Sequence, residues 1–161
     1  MFDKQTYINR RAKLKELVKS GIIILFGNNE SPCNFPNNGY YPFRQDSSFL
    51  YYFGQNRDGL VGVIDIDNNI ETLVGNDIDI EDIVWYGSVD SVHDMAQQVG
   101  VDNSAPMKSL KTICNDAMRR NAPYTSCRPT VTILNCKYST SWAYTPISRK
   151  SRPACHSSRL W

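Results

Sequence analysis

Side chains that hold a metal ion, attack a carbonyl or carry a proton are few in this 161-residue sequence, and their spacing is unpromising. Metal-assisted hydrolysis requires histidines and carboxylates converging on an ion. Residues 1–120 contain one histidine, His93, next to Asp94 in a stretch of helical spacing, and a solvent-facing ring is expected there. A seryl nucleophile would need a G-x-S-x-G turn, which does not occur, and Gly54, Gly59 and Gly62 fit no phosphate-cradling loop. Cys33, Cys114, Cys127, Cys136 and Cys155 form no C-x-x-C pair and no zinc-type spacing. They read as free thiols, with Cys33 and Cys114 as small buried hydrophobes. The residues alone therefore define no catalytic group and no metal ligand.

The elements that would position any site are clearer. Tyr7, Ile8, Leu14, Leu17 and Val18 recur at helical spacing between Lys4 and Ser20, with Arg10, Lys13, Lys15, Glu16 and Lys19 opposite them. This predicts an amphipathic first helix, capped by Asp3 and stopped by Gly21. Ile22 to Phe26 is a continuous apolar run of the kind buried on both faces of a sheet. Gly27 to Gly39, rich in Asn, Pro and Gly, predicts a long surface loop. Asp46 stands where it would cap a short helix through Ser47 to Phe53, closed by Gly54. Leu60 to Ile66 and Ile70 to Val74, joined through Asp67, Asn68 and Asn69, predict a hairpin. A short helix or turn is expected over Asp77 to Val84, a helix from Val89 to Gln98 closed by Gly100, and a last helix from Met107 to Arg120.

At 41% hydrophobic and 21% charged, the chain has material for one core and is neither collagen-like, coiled-coil nor wholly disordered. Its longest apolar run is far short of the ~20 residues of a membrane span. The start lacks a basic segment followed by an apolar run, so no membrane association and a cytoplasmic location are expected. The formal charge of +2 conceals a segregation: all 16 Asp and Glu, with 12 of the 18 Lys and Arg, lie in residues 1–120, leaving −4 there. Residues 121–161 carry 6 basic and no acidic side chains.

The stretch Tyr40-Tyr41-Pro42-Phe43-Arg44-Gln45-Asp46-Ser47-Ser48-Phe49-Leu50-Tyr51-Tyr52-Phe53-Gly54 resembles the signature of the amino-terminal domain of aminopeptidase P, the Xaa-Pro aminopeptidases. Tyr7, Arg10, Arg11 and Leu14 are similar to that family's opening helix, and Trp85-Tyr86-Gly87 follows the hairpin where the family has Trp-x-Gly. The resemblance covers residues 1–120. It implies an α/β fold of creatinase/prolidase amino-terminal type, a mixed sheet flanked by helices, here incomplete. It also implies that this domain carries no catalytic ligand. In full-length relatives a carboxy-terminal domain holds a dinuclear metal centre, usually manganese, and removes the residue preceding a proline in peptides. The chain is thus expected to be a non-catalytic fragment of such an enzyme without a cofactor of its own, its relatives acting on peptides with proline second and capable of homo-oligomer contacts. The resemblance places Asn38, Tyr41 and Arg44 near substrate at the entrance of a neighbouring subunit's active site. The plainer reading is that Arg44 and Asp46 tie down the loop while Phe43 and Phe49 pack beneath it. A stand-alone peptide- or protein-binding module, or a non-functional truncated product, is the alternative.

Residues 121–161 belong to a different statistical population, with 19 Ser, Thr, Pro and Cys among 41 residues. Taking the last base of each codon with the first two of the next forces Leu at Asn135-Cys136 and Gly at Trp142-Ala143. It permits Leu-Pro-Pro-Tyr-Arg followed by an amphipathic helix, which is similar to the family's continuation. This predicts an irregular basic tail read out of frame after a slip near Arg120. Nucleic-acid binding is not expected, because its charges do not cluster. A body lacking its closing strand should leave an unpaired sheet edge.

Overall fold

Ile22 to Phe26 sends alternate side chains to opposite sides, and both sides are hydrophobic. That period-two alternation organises the fold, described here from a computed structural model over residues 2–34, 39–77, 87, 90–120 and 122–126. The elements are α1 (Lys4–Val18), β1 (Ile22–Phe26), α2 (Ser47–Phe53), β2 (Val61–Asp65), β3 (Ile70–Val74), α3 (Val92–Gln98), β4 (Asn103–Ala105), α4 (Ser109–Arg119) and β5 (Tyr124–Ser126). The strands form one mixed sheet in the order β4-β3-β2-β1-β5. β2 runs antiparallel to β1 and β3, while β4 is parallel to β3 and β5 to β1. Four strands therefore share one direction, and their carboxyl ends lie along one edge of the sheet.

One layer gathers Ile23, Leu25, Ile64 and Leu73 against Tyr7 of α1, Phe49 and Phe53 of α2, and Val92, Met95 and Ala96 of α3. The other gathers Ile22, Ile24, Val61, Val63 and Val74 against Leu110, Cys114 and Ala117 of α4. Phe49 and Phe53, one turn apart, stack with ring centroids 5.4 Å apart. A Cβ at Gly62 would overlap the Phe53 ring, so the glycine in β2 is what lets α2 lie so close to the sheet.

The predicted helix boundaries hold closely for α2, which starts at its Asp46 cap and ends at Gly54 in the left-handed region at φ 66°. Asp3 caps α1 as expected, but the helix ends before Gly21, with Lys19 taking the positive φ of 71°. Gly21, at φ 100°, instead meets the chain entering β5, where its Cβ would overlap the Pro123 carbonyl. The amphipathic reading of α1 holds for Tyr7, Leu14 and Val18, which pack on the core, but is corrected at Leu17, which is 71% exposed, and at Arg11, which is buried. Cys33 is exposed in the long loop rather than buried, whereas Cys114 is buried and desolvation pushes its thiol pKa up to about 12. His93 is exposed as expected.

β4 and β5 were not anticipated. Asn103-Ser104-Ala105 pairs with Thr72-Leu73-Val74, and Tyr124-Thr125-Ser126 pairs with Ile22-Ile23-Ile24. The expected unpaired edge at β1 is therefore covered over those three residues, and the sheet extends past residue 120 to Ser126. A ladder is made by backbone groups, so any extended triplet at that position can join it. The element expected over Asp77 to Val84, apart from Asp77, lies outside the described residues, as do Trp85, Tyr86 and residues 127–161. Among the described residues, no helix is long and apolar enough to cross a membrane.

Candidate functional site

The signature stretch sits at the sheet edge formed by the parallel strands' carboxyl ends, where open α/β sheets bind ligands. β1 delivers Gly27, Asn28 and Asn29 to that edge. The chain then runs out and back, with Pro32 bridged to Tyr40, the Cys33 N–H donating to the Gly39 carbonyl and the Tyr41 N–H to the Ser31 carbonyl. From Tyr41 it passes to α2, whose Asp46 cap accepts from the Ser48 and Phe49 N–H groups at 2.9 and 3.1 Å.

Gln45 ties these pieces together. It is buried; its Oε1 accepts from the N–H groups of Asn28 and Asp46 at 2.6 and 3.0 Å, and its Nε2 donates to the carbonyls of Arg57 and Gln55 at 2.6 and 3.5 Å. One side-chain amide thus joins the loop after β1, the approach to α2 and the lead into β2. Asn28 completes the knot by donating its Nδ2 to the Arg44 carbonyl at 2.8 Å. Gly27 leaves room for the Gln45 amide and the Leu60 carbonyl, which a Cβ there would crowd.

Above this knot lies an open cavity of about 420 Å³, lined by Asn28, Asn29, Ser31 and residues 41–47. Of the three expected entrance residues, the structure brings Tyr41 and Arg44 together on its wall, both exposed. Asn38 lies outside the described residues. Asp46 ties down the loop by its cap, but Arg44 does so through its backbone carbonyl, not its side chain. Phe49 is buried beneath, while Phe43 is half-buried on the cavity wall. Asn28 is 7% exposed, and its Oδ1 is buried with no hydrogen-bond partner among the described residues; nor has Arg57 Nη1 one among them. Arg57 Nη2 donates to the Asn76 carbonyl, reaching towards a second open cavity of about 330 Å³ between Gly75–Asp77 and Ser104–Pro106 on the same edge.

Sequence reading missed Gln45 and Arg11. Arg11, 0% exposed, donates Nε to Glu71 at 2.6 Å, Nη1 to the Tyr52 carbonyl, and Nη2 to the Val99 and Gly100 carbonyls, the last three at 2.9 Å. Lys15 joins Glu71 at 2.6 Å. This cluster locks α1 to the ends of α2 and α3, one turn and more from the cavity. Across the sheet, Asp65 accepts from Arg120 at 2.6 Å and from Asn68. Burial acts to raise the Asp65 pKa, but the hydrogen bonds and charge of Arg120 and the bonds from Asn68 prevail and hold it below the usual carboxylate value. The described residues hold no group of three or more His, Cys, Asp or Glu placed to take a metal ion.

A mixed sheet with this order, together with a capped helix behind Tyr-Pro-x-Arg, defines a class. The family model for the aminopeptidase P N-terminal domain matches residues 7–125, and the chain belongs to that family. Individual relatives agree. It is 27% identical over 119 residues to the Arabidopsis thaliana intermediate cleaving peptidase 55, mitochondrial, covering 73% of this chain and 24% of that one. It is 28% identical over 101 residues to the Homo sapiens Xaa-Pro dipeptidase, covering 63% and 20% respectively. The low-pH form of Escherichia coli aminopeptidase P superposes with a TM-score of 0.61 at 26% identity, covering 72% of this chain and 27% of that one. The chain spans about a quarter of the length of these relatives.

Proposed function

We propose that this chain is the non-catalytic entrance domain of a manganese-dependent Xaa-Pro aminopeptidase, with residues 1–120 as the domain proper and residues 121–161 read out of frame. A cytoplasmic location belongs to the same reading. The supporting observation is the wall of the open cavity, where Tyr41 and Arg44 from the signature stretch stand exposed on a base fixed by Gln45. Rigid loops presenting uncommitted polar groups suit guiding a peptide towards a reaction centre supplied elsewhere. The metal does not fit here: the described residues supply no ligand cluster, and no chemical step is assigned to them. The composition change after residue 120 supports the frame slip. Pairing at β5 is compatible with it, because the ladder uses backbone groups.

The test begins with the DNA. A neighbouring frame that continues from near Arg120 through codons for two Asp, one His and two Glu ligands supports the proposal; a frame broken by stops overturns the slip. The frame-restored protein, supplied with manganese, is then expected to release the first residue from an Xaa-Pro peptide, while residues 1–161 do not. Turnover by residues 1–161 alone would overturn the non-catalytic assignment. A restored frame lacking those five ligands would favour a stand-alone binding module.

A further inference from the structure

We infer that the cavity between Asn28 and Arg44 is a receptor for the carboxyl-terminal residue of a peptide; this rests on the proposal above that this edge of the domain meets peptides. Two unsatisfied groups of opposite demand line the same space. Arg44 is exposed and its guanidinium makes no ion pair among the described residues; the neighbouring Asp46 carboxylate is engaged by two backbone N–H groups. A guanidinium fork matches a carboxylate, donating two parallel N–H bonds to its two oxygens. Asn28, 7% exposed, lines the cavity, and its Oδ1 has no donor among the described residues, while its Nδ2 and backbone N–H are both used. That oxygen calls for an N–H. The last residue of a peptide carries an amide N–H and a carboxylate side by side and meets both demands. Asn29, Ser31, Tyr41 and Ser47 add hydroxyl and amide groups to the wall, and about 420 Å³ falls within the roughly 300–1,000 Å³ of small-ligand pockets. Since Asn28 Oδ1 is covered, a ligand N–H reaches it only when the Asn28 side chain shifts, which loosens its Nδ2 bond to the Arg44 carbonyl while the Gln45 bond to the Asn28 backbone N–H stays in place.

The experiment uses the ¹⁵N-labelled chain 1–161 and three probes: Ala-Pro-Ala with a free carboxylate, the same peptide amidated, and Ala-Ala-Pro, whose last residue has no N–H. The free-acid Ala-Pro-Ala is expected to shift resonances of Asn28, Asn29 and Arg44, with the amidated peptide and Ala-Ala-Pro each binding at least tenfold more weakly. Arg44→Met is expected to erase the preference for the free acid while leaving the thermal midpoint in place. Inorganic phosphate at equal concentration is expected to shift these resonances far less. Equal binding of acid and amide, equal binding of phosphate, shifts confined to other parts of the chain, or no shift at millimolar peptide would each overturn the inference. Catalysis by the frame-restored protein is measured separately, so either result can fail while the other stands.

Discussion

Arg11, bonded at the carboxyl end of α2, and Arg44, just before its amino-terminal cap, behave as opposites. Arg11 is 0% exposed and all three of its nitrogens have partners, a carboxylate and three carbonyls. Arg44 is exposed on a cavity wall, and among the described residues only its backbone is engaged. The contrast separates a cation that builds the fold from one the fold holds out to solvent. A buried guanidinium is tolerable only when every N–H is matched, and Glu71 supplies the countercharge that makes Arg11 tolerable. Arg44 is under no such constraint, because its exposed guanidinium keeps its water.

The sharpest way to break this comparison is at Arg11. Arg11→Met removes the charge and strands the carbonyls of Tyr52, Val99 and Gly100, and it leaves Glu71 with Lys15 alone. A loss of about 3–5 kcal/mol in urea unfolding is expected, as when one partner of a buried pair is removed. Arg11→Lys is expected to recover little of it, because one ammonium cannot span the four acceptors of the fork. A loss under about 1 kcal/mol would mean that Arg11 is no more structural than Arg44.

Gln45 comes next. Gln45→Leu leaves the N–H groups of Asn28 and Asp46 and the Arg57 carbonyl without their shared partner, at a cost of about 1–3 kcal/mol. The cavity should lose its shape in the same variant, so the peptide-induced shifts at Asn28 and Arg44 are expected to vanish even where the protein remains folded. Retained binding would place the ligand elsewhere.

Asp65 gives a smaller, pH-dependent effect. Its folded-state pKa lies below the unfolded value of about 3.8, so the Arg120 pair contributes fully above that value and is lost as the pH falls through the folded pKa. Stability is therefore expected to drop from about pH 4 downwards, and Asp65→Asn should flatten that limb. Parallel acid curves for the two proteins would show that the pair between the β2 end and α4 contributes nothing.

The parts legible in the sequence share a feature: the signal is local. Asp46 and Gly54 bracket α2 because a cap and a left-handed terminus are fixed by neighbouring residues, and Ile22 to Phe26 announces a strand buried on both faces. β4 and β5 carry no such signal, since Asn103-Ser104-Ala105 is extended only because β3 lies beside it. Arg11 was hidden for the same reason. The sequence marks it only as one of the residues shared with the family's opening helix, and its acceptors lie 41 to 89 residues away. Tyr41 and Arg44 came from the resemblance of the surrounding stretch to a known signature. Gln45, beneath them, has besides its neighbour Asp46 partners 10 to 17 residues off in two different loops, and only the folded chain shows that they converge.

The smallest expected effect closes the comparison. Arg44→Ala removes a side chain that is exposed and unpaired among the described residues, and its stabilising contact with Asn28 runs through a carbonyl the substitution keeps. Unfolding free energy should change by less than about 0.5 kcal/mol, the range of surface substitutions away from caps and cores. Against Arg11→Met in the same urea series, the two arginines are then expected to differ by several kcal/mol although both meet the segment around α2. If Arg44→Ala instead costs as much as Gln45→Leu, the guanidinium is holding the loop, and the cavity wall is architecture instead of a receptor.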